Sequence, residues 1–535
     1  MPGEECRSLQ WKGRFTMGQE AHCYPSELTH VVLGEGPVTV EEMVAVARYK
    51  AKVSFSQQYC DRVAASRSLI ERFLRENRLI YGVTTGFGEN VTEVISPEDA
   101  TTLQHNIIRS HAVSVGEPLE KEIVRAIQFM ILVSLGQGYS GVRLEVLQLI
   151  ASLLNEEITP FAPGEGSVGY LAPEAHMALV LIGEGKAWYK GELLAGKEAL
   201  HRAGLQPIEL GCKEGLALIN GTTSVTAFAT LALYNASQAV KTADVAGAMS
   251  LEVLKGTIKA CDPRLHAVKK HDEQSATAKT ILHILEGSEI AEAYKSHRLQ
   301  DALSLRCIPQ LHGACKKLLK DAREVIENEM ASTGDNPIIY PEDDDGIALM
   351  GGNFDGTYVG MYSDSMCIAM ANLAKMAERR IDRLVNHHHS ELPSFLVANP
   401  GLNNGYMIPQ YTAAGLLGEI KVLSHPSTVD NISTSANQED QVSMAYFAAK
   451  KAYHISKKVE YILAIELMTA AQALDFHKPL KPSPVTEAVY QKIRSMVPTV
   501  KVDRYFYPDI EYIRHLLHHG EFVKLVEERI GSMSF

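Results

Sequence analysis

The chain lacks most of what would tie it to a membrane, an oxidising compartment or a nucleic acid. No stretch of its 535 residues runs through the roughly 18–20 uninterrupted apolar residues that a membrane span needs. The N-terminal "MPGEECRSLQWKGRF" has no apolar core of the kind a secretion signal carries. Eight cysteines are scattered without one CxxC pair, several in apolar helical settings where a thiol is a small hydrophobe, so a reducing cytoplasm is expected. Lys and Arg number 52 against 64 Asp and Glu, and a net charge of -12 excludes a phosphate backbone as the main partner. Neither GxxxxGK[ST] nor GxGxxG after a strand occurs, which excludes the common phosphate loops. "NHHHSELP" puts His387, His388 and His389 side by side, where helical geometry points them apart, so no metal is expected. Internal repeats and low-complexity linkers are also missing.

What is present is helical periodicity. With 46% hydrophobic and 22% charged residues, the composition is that of an ordinary globular protein. "TVEEMVAVARYKAKV" opens a helix that Thr39 can cap, and order is expected from about Val32. Apolar residues recur at helical spacing over Ser56–Asn77, Pro97–His111, Glu120–Leu135 and Val142–Asn155. In "SMCIAMANLAKMAERRIDRLVN" the residues Met366, Met370, Leu373, Ala377, Ile381 and Leu384 form one stripe, and a second long helix is predicted over Val442–Phe476. "AWYKGELL" reads as a surface hairpin. The predicted fold is mainly α, a bundle of long helices. We divide it into a polar tail (1–31) and a continuous catalytic region (32–535), made of a site-forming part (32–225), a central long-helix bundle (226–480) and a helical C-terminal part (481–535).

Polar and glycine-rich stretches interrupt the helices. "YGVTTGFGEN" places glycines around Tyr81, which is either a buried tyrosine beside a turn or a residue presented by a mobile loop. "NIIRSHAVSVG", "GEGSVGYLAPEAH", "KEGLALINGTTS", "QDALSLRCIPQLHG", "GDNPIIY", "GGNFDG" and "TSANQEDQVSM" follow. In order and spacing, over about residues 35–535, this set resembles the histidine and aromatic amino acid ammonia-lyases and the related aminomutases. The resemblance implies a mainly α, fumarase/aspartase-like fold and a homotetramer whose active sites draw on three subunits, with a small-molecule substrate and no metal. It implies Tyr81 as the base that removes the β proton, Arg306 as the clamp on the substrate carboxylate, and Asn220 and Gln300 as polar groups around the amine and carboxylate. His111, Phe354, Met407 and Glu439 fall where the family lines its side-chain pocket. The combination of His111, Met407 and Glu439 is similar to the histidine branch. For Tyr81 to act near neutral pH, its pKa must lie below the usual value near 10.

Three positions depart from the family. Its Ala-Ser-Gly triad, which cyclises into the electrophile methylidene-imidazolone, has no counterpart, because Gly169 is followed directly by Tyr170, Leu171, Ala172 and Pro173. Leu303 replaces a tyrosine, and Asp355 a histidine. No prosthetic group is therefore expected. Within the family these departures resemble the electrophile-free ergothionases. That implies α,β-elimination of trimethylamine from ergothioneine to give thiolurocanate, with Leu303 as an apolar wall and Tyr170 or Phe87 as an aromatic face for a methylated cation. Asp355 would add negative charge, or else make a supporting hydrogen bond. The alternatives are a histidine ammonia-lyase, giving urocanate and ammonia, and a catalytically dead homologue; retention of Tyr81, Asn220 and Arg306 speaks against the latter.

Overall fold

The computed structural model describes residues 24–96, 99–341 and 345–533, so the first 23 residues of the expected tail and the predicted helix start at Pro97 lie outside the described residues. The protein is mainly helical, with four small sheets among the described residues. It divides into two compact units: residues 1–231, 324–363 and 426–450 form one, and 232–323, 364–425 and 451–535 the other.

In the first unit, order reaches past Val32 to His30, because His30–Leu33 pairs in parallel with Lys52–Phe55. The helix Val40–Arg48 between them starts at Thr39, whose hydroxyl accepts from the Glu42 N–H at 3.2 Å while the Glu42 carboxylate accepts from the Thr39 N–H at 2.9 Å. This reciprocal cap satisfies two donors that the helix start would otherwise leave open. Val40–Arg48 packs on Lys121–Leu135, a helix buried on every face from Ile123 onward. From within that helix Arg125 donates to the carbonyls of Val46 (2.7 Å) and Leu154 (3.0 Å), closing the C-terminal ends of Val40–Arg48 and Leu144–Asn155. Such ends present unpaired carbonyls and a negative dipole, which a guanidinium satisfies. The hairpin Lys186–Tyr189/Glu192–Ala195 forms as predicted, but only its second strand faces outward. Its first strand pairs with Thr159–Pro160, which buries Ala187 and Tyr189.

The helix Thr223–Val253 is the element that the spacing of apolar residues does not reveal. The segment Glu214–Val253 is long and apolar enough to cross a membrane, yet 94% of its most apolar window is buried inside the protein. Its hydroxyls interrupt the apolar run in sequence but not in space. Thr226, Thr230, Ser237 and Thr242 each donate to the carbonyl four residues back, at 2.7–2.9 Å, so they can be buried at little cost.

In the second unit the predicted stripe from Met366 to Leu384 is buried along the helix Thr357–Val385, which is part of the core. Two charged networks lie within that core. Asp244 accepts from His312 (2.8 Å) and Lys316 (2.6 Å). Glu466 accepts from Arg380 at 2.5 and 2.9 Å and from the Ser250 hydroxyl at 2.7 Å. Asp272–Leu285, Pro484–Arg494, Tyr507–His518 and Glu521–Ile530 form a further packed group in this unit.

Candidate active site

Within the first unit five of the predicted residues come together. Tyr81 sits in a loop fixed from inside: the Thr84 hydroxyl donates to the Arg78 carbonyl (2.9 Å) and accepts from the Ile80 N–H (2.8 Å). The Tyr81 hydroxyl accepts from the Gly88 N–H at 2.9 Å, and its ring meets Phe87 edge-on at 6.3 Å. Gly88 has φ +55°, and a Cβ there would lie 2.8 Å from the Ser435 hydroxyl, so glycine lets the Tyr81 loop lie against the turn that follows Thr434. That turn holds Ser435, Ala436 and Asn437 at φ of 50°, 54° and 68°, an unusual run of left-handed non-glycine residues, and closes where the Thr434 N–H meets the Glu439 carbonyl at 2.9 Å. It brings Glu439 close enough to act on the charge states of both Tyr81 and Tyr170.

The joint carrying Tyr170 runs from the strand Pro163–Glu165 to the helix Glu174–Leu181. Gly164 anchors it, its carbonyl accepting from the Tyr446 hydroxyl (3.1 Å) and the Lys450 ammonium (2.8 Å). Gly169, at φ +145°, passes so near the Ser443 hydroxyl that a Cβ would stand 2.8 Å from it, and the Leu171 N–H donates to the Ile219 carbonyl at 3.0 Å. Tyr170 is therefore held inward, 8% exposed, with its ring edge-on to Phe354 at 5.2 Å and its hydroxyl buried without a partner. Burial, with Glu439 and Asp355 nearby, pushes its pKa up to about 12. Asp355 accepts from the Thr357 N–H at 2.9 Å at the start of Thr357–Val385, so it makes the supporting hydrogen bond. Its charge also acts on Tyr170 and on Glu329.

The Asn220 amide nitrogen faces Asp335 and the Asn336 carbonyl. Two residues on, the Thr222 hydroxyl donates to Glu329 at 2.5 Å, and burial raises the Glu329 pKa despite that bond. His111 ends the helix Ala100–His111: its Nδ1 pairs with the Ile107 carbonyl of that helix at 2.8 Å, and burial lowers its pKa. In the second unit Gln300, Leu303 and Arg306 lie on and just before the short helix Leu303–Arg306, with Leu303 61% exposed and Arg306 Nε buried without a partner. Met407 opens Met407–Leu423. Among the described residues no cluster of three or more His, Cys, Asp or Glu is placed to hold a metal ion.

The Tyr81 pKa is raised, not lowered as the sequence requirement had it. Burial is the main cause, the Gly88 N–H opposes it, and Glu439 adds to it. A phenolate base with a raised pKa needs alkaline solution to form. We therefore expect kcat/KM to climb about tenfold per pH unit from pH 7 to 9, over which the phenol is still largely protonated and the substrate amine is still an ammonium. A flat profile from pH 7 to 9 would show that the base is already deprotonated at pH 7, with a pKa far below the usual tyrosine value.

Sequence reasoning passed over Lys213, Asp335, Thr222 and Glu329. Each lies in or beside a quoted glycine-rich stretch, but nothing in a one-dimensional pattern marks a charged side chain as buried.

The aromatic amino acid lyase family model matches residues 38–495. Over 499 residues the chain is 46% identical to the histidine ammonia-lyase of Symbiobacterium thermophilum, covering 93% of this chain and 98% of that protein. The crystal structure of histidine ammonia-lyase from Trypanosoma cruzi superimposes with a TM-score of 0.88 at 36% identity, over 94% of this chain and 96% of that one. The ergothionase structure from Treponema denticola superimposes with a TM-score of 0.85 at 27% identity, over 92% and 99%. These values overturn the expectation of an ergothionase: curated relatives at 42–46% identity are histidine ammonia-lyases, well above the ergothionase at 27%, and favour the histidine ammonia-lyase alternative. Fold, ordered motifs and near full-length matches agree that the chain belongs to the aromatic amino acid lyase family.

Proposed function

We propose that this protein is a carbon–nitrogen lyase that eliminates ammonia from L-histidine to give urocanate. The observation that carries this reading is its 46% identity, over nearly the whole of both chains, to a histidine ammonia-lyase. Tyr81 takes the β proton as phenolate, the C–H electron pair becomes the Cα=Cβ bond, and the C–N pair leaves with nitrogen as neutral ammonia. Arg306, a planar donor with an unpaired Nε, holds the carboxylate. Asn220 receives the amino group, while His111, Phe354 and Met407 line the ring's side. We read the active form as a cytoplasmic homotetramer in which neighbouring copies cover exposed positions such as Leu303.

The prosthetic group of the family does not fit this chain. There is no Ala-Ser-Gly to cyclise, and Tyr170 occupies the joint with its ring against Phe354. No step is routed through that group. The amine instead stays an ammonium, the form that leaves as neutral ammonia, favoured by the negative charge of Glu439 and Asp355 beside Tyr170. Incubation with L-histidine, L-phenylalanine and L-tyrosine in parallel tests the ring preference. Ammonia and a conjugated acrylate from histidine alone are expected; product from phenylalanine or tyrosine and none from histidine would refute it.

A further inference from the structure

We infer that Lys213 and Asp335, a buried ion pair, act as positioning residues that aim the carbonyl oxygen of Asn220 at the substrate's amino group. This rests on the proposed elimination for its kinetic consequence, but not for its geometry.

Lys213 and Asn220 bracket one short helix, Glu214–Ile219. Lys213 stands before its first residue in a left-handed conformation, φ +74°, with its whole side chain buried, and its ammonium donates to Asp335 Oδ2 at 2.6 Å. Burial pulls the lysine pKa down, and Asp335 opposes that pull. Asn220 follows the helix, its backbone N–H donating to the Leu216 carbonyl at 2.9 Å. The second Asp335 oxygen, Oδ1, accepts from the Asn336 N–H at 2.7 Å and faces Asn220 Nδ2 at 3.4 Å. The Asn336 carbonyl faces the same Nδ2 at 3.3 Å.

Both groups facing the Asn220 side chain are therefore acceptors. Only the NH2 end of the amide can meet them; the reversed amide would set its oxygen against a carboxylate and a carbonyl. The carbonyl oxygen is left pointing away from Asp335, free to accept from an ammonium. The two segments can approach this closely because Gly221 has no side chain: at its φ of +113° a Cβ would stand 3.1 Å from the Gly334 carbonyl oxygen. The lysine holds Asp335 from behind, and the Asp335 side chain orients the amide. A positioned acceptor of this kind matters because a displacement of about 1 Å at a reacting group can cost about 10²-fold in rate.

The test uses the full chain and the double variant Lys213→Met/Asp335→Leu, which removes both charges so that neither is stranded in the interior. Its crystal structure should show the Asn220 amide rotated from its parent orientation; an unmoved amide overturns the inference. With histidine as substrate, kcat should fall about 10²-fold, with KM changed less than about threefold. Undiminished kcat overturns it as well. The triple variant that also carries Asn220→Ala should lose no more activity in total than Asn220→Ala alone, since the pair acts through that side chain, whereas additive losses would contradict this. If Asp335→Leu alters folding, Asp335→Asn takes its place: it keeps the shape, and the same amide rotation is expected or the inference fails. Should the parent protein release no ammonia from histidine, the proposed function falls, and the two crystal structures still decide the orientation of Asn220.

Discussion

Tyr81→Phe is expected to lower kcat by about 10²- to 10⁴-fold while leaving a folded protein, because general base catalysis is worth that much. The substitution keeps the ring that meets Phe87 edge-on and removes only the hydroxyl that accepts from the Gly88 N–H. One partly buried hydrogen bond is worth about 1 kcal/mol, too little to unfold a protein of this size. Stopped assays of ammonia release, with circular dichroism as the control for folding, separate the two effects. Full activity in the variant would mean that Tyr81 is a wall of the site, as a buried tyrosine beside a turn would be, and that another group takes the proton. The raised Tyr81 pKa sharpens this test: residual activity in the variant should lose the steep alkaline rise along with the phenol.

The largest effect on stability is expected at Glu466. Its carboxylate and the Arg380 guanidinium are both fully buried and joined by two hydrogen bonds, with Ser250 adding a third donor to the same carboxylate. Glu466→Ala leaves the guanidinium without its countercharge in the interior, a loss of about 3–5 kcal/mol. Glu466→Gln keeps the shape and some of the hydrogen bonds, and should fall between the parent and Glu466→Ala. Calorimetric scans of the three proteins at one concentration provide the check, and equal midpoints would mean that water reaches Arg380 in the variant. The double replacement Arg380→Met/Glu466→Leu should recover most of the loss, because a buried pair exchanged for apolar residues of similar volume is often neutral.

The helix boundaries were largely legible because amphipathic periodicity and caps are local. Thr39 begins Val40–Arg48, Ser56 begins Gln57–Arg75, and the Met366–Leu384 stripe is buried as its spacing demands. Thr223–Val253 was not legible, since its buried threonines and serines bond to their own helix and only three dimensions reveal that. The site is read through its resemblance to a family, and the fold brings Tyr81, Tyr170, Phe354, Asp355 and Glu439 together from segments far apart in sequence. As a departure from the family Asp355 invites either a charge role or a supporting hydrogen bond; in the structure it accepts from the first N–H of the helix that begins at Thr357, and its charge also acts on Tyr170. Tyr170, with Leu303 and Asp355, suggests a different leaving group when the departures are weighed alone, while identity along nearly the whole chain lies with the histidine ammonia-lyases. Tyr81 is legible from its loop, but the direction of its pKa is not, because the burial that raises it and the Glu439 charge that adds to it depend on the three-dimensional fold, while only the opposing Gly88 N–H belongs to the loop itself.

The most direct measurement is the amine released by the purified protein, with its intact mass recorded on the same sample, from L-histidine and from ergothioneine in parallel. The account predicts ammonia and urocanate in equal amounts from histidine, produced by a chain whose mass is that of its uncyclised sequence. Trimethylamine from ergothioneine with no ammonia from histidine would contradict it.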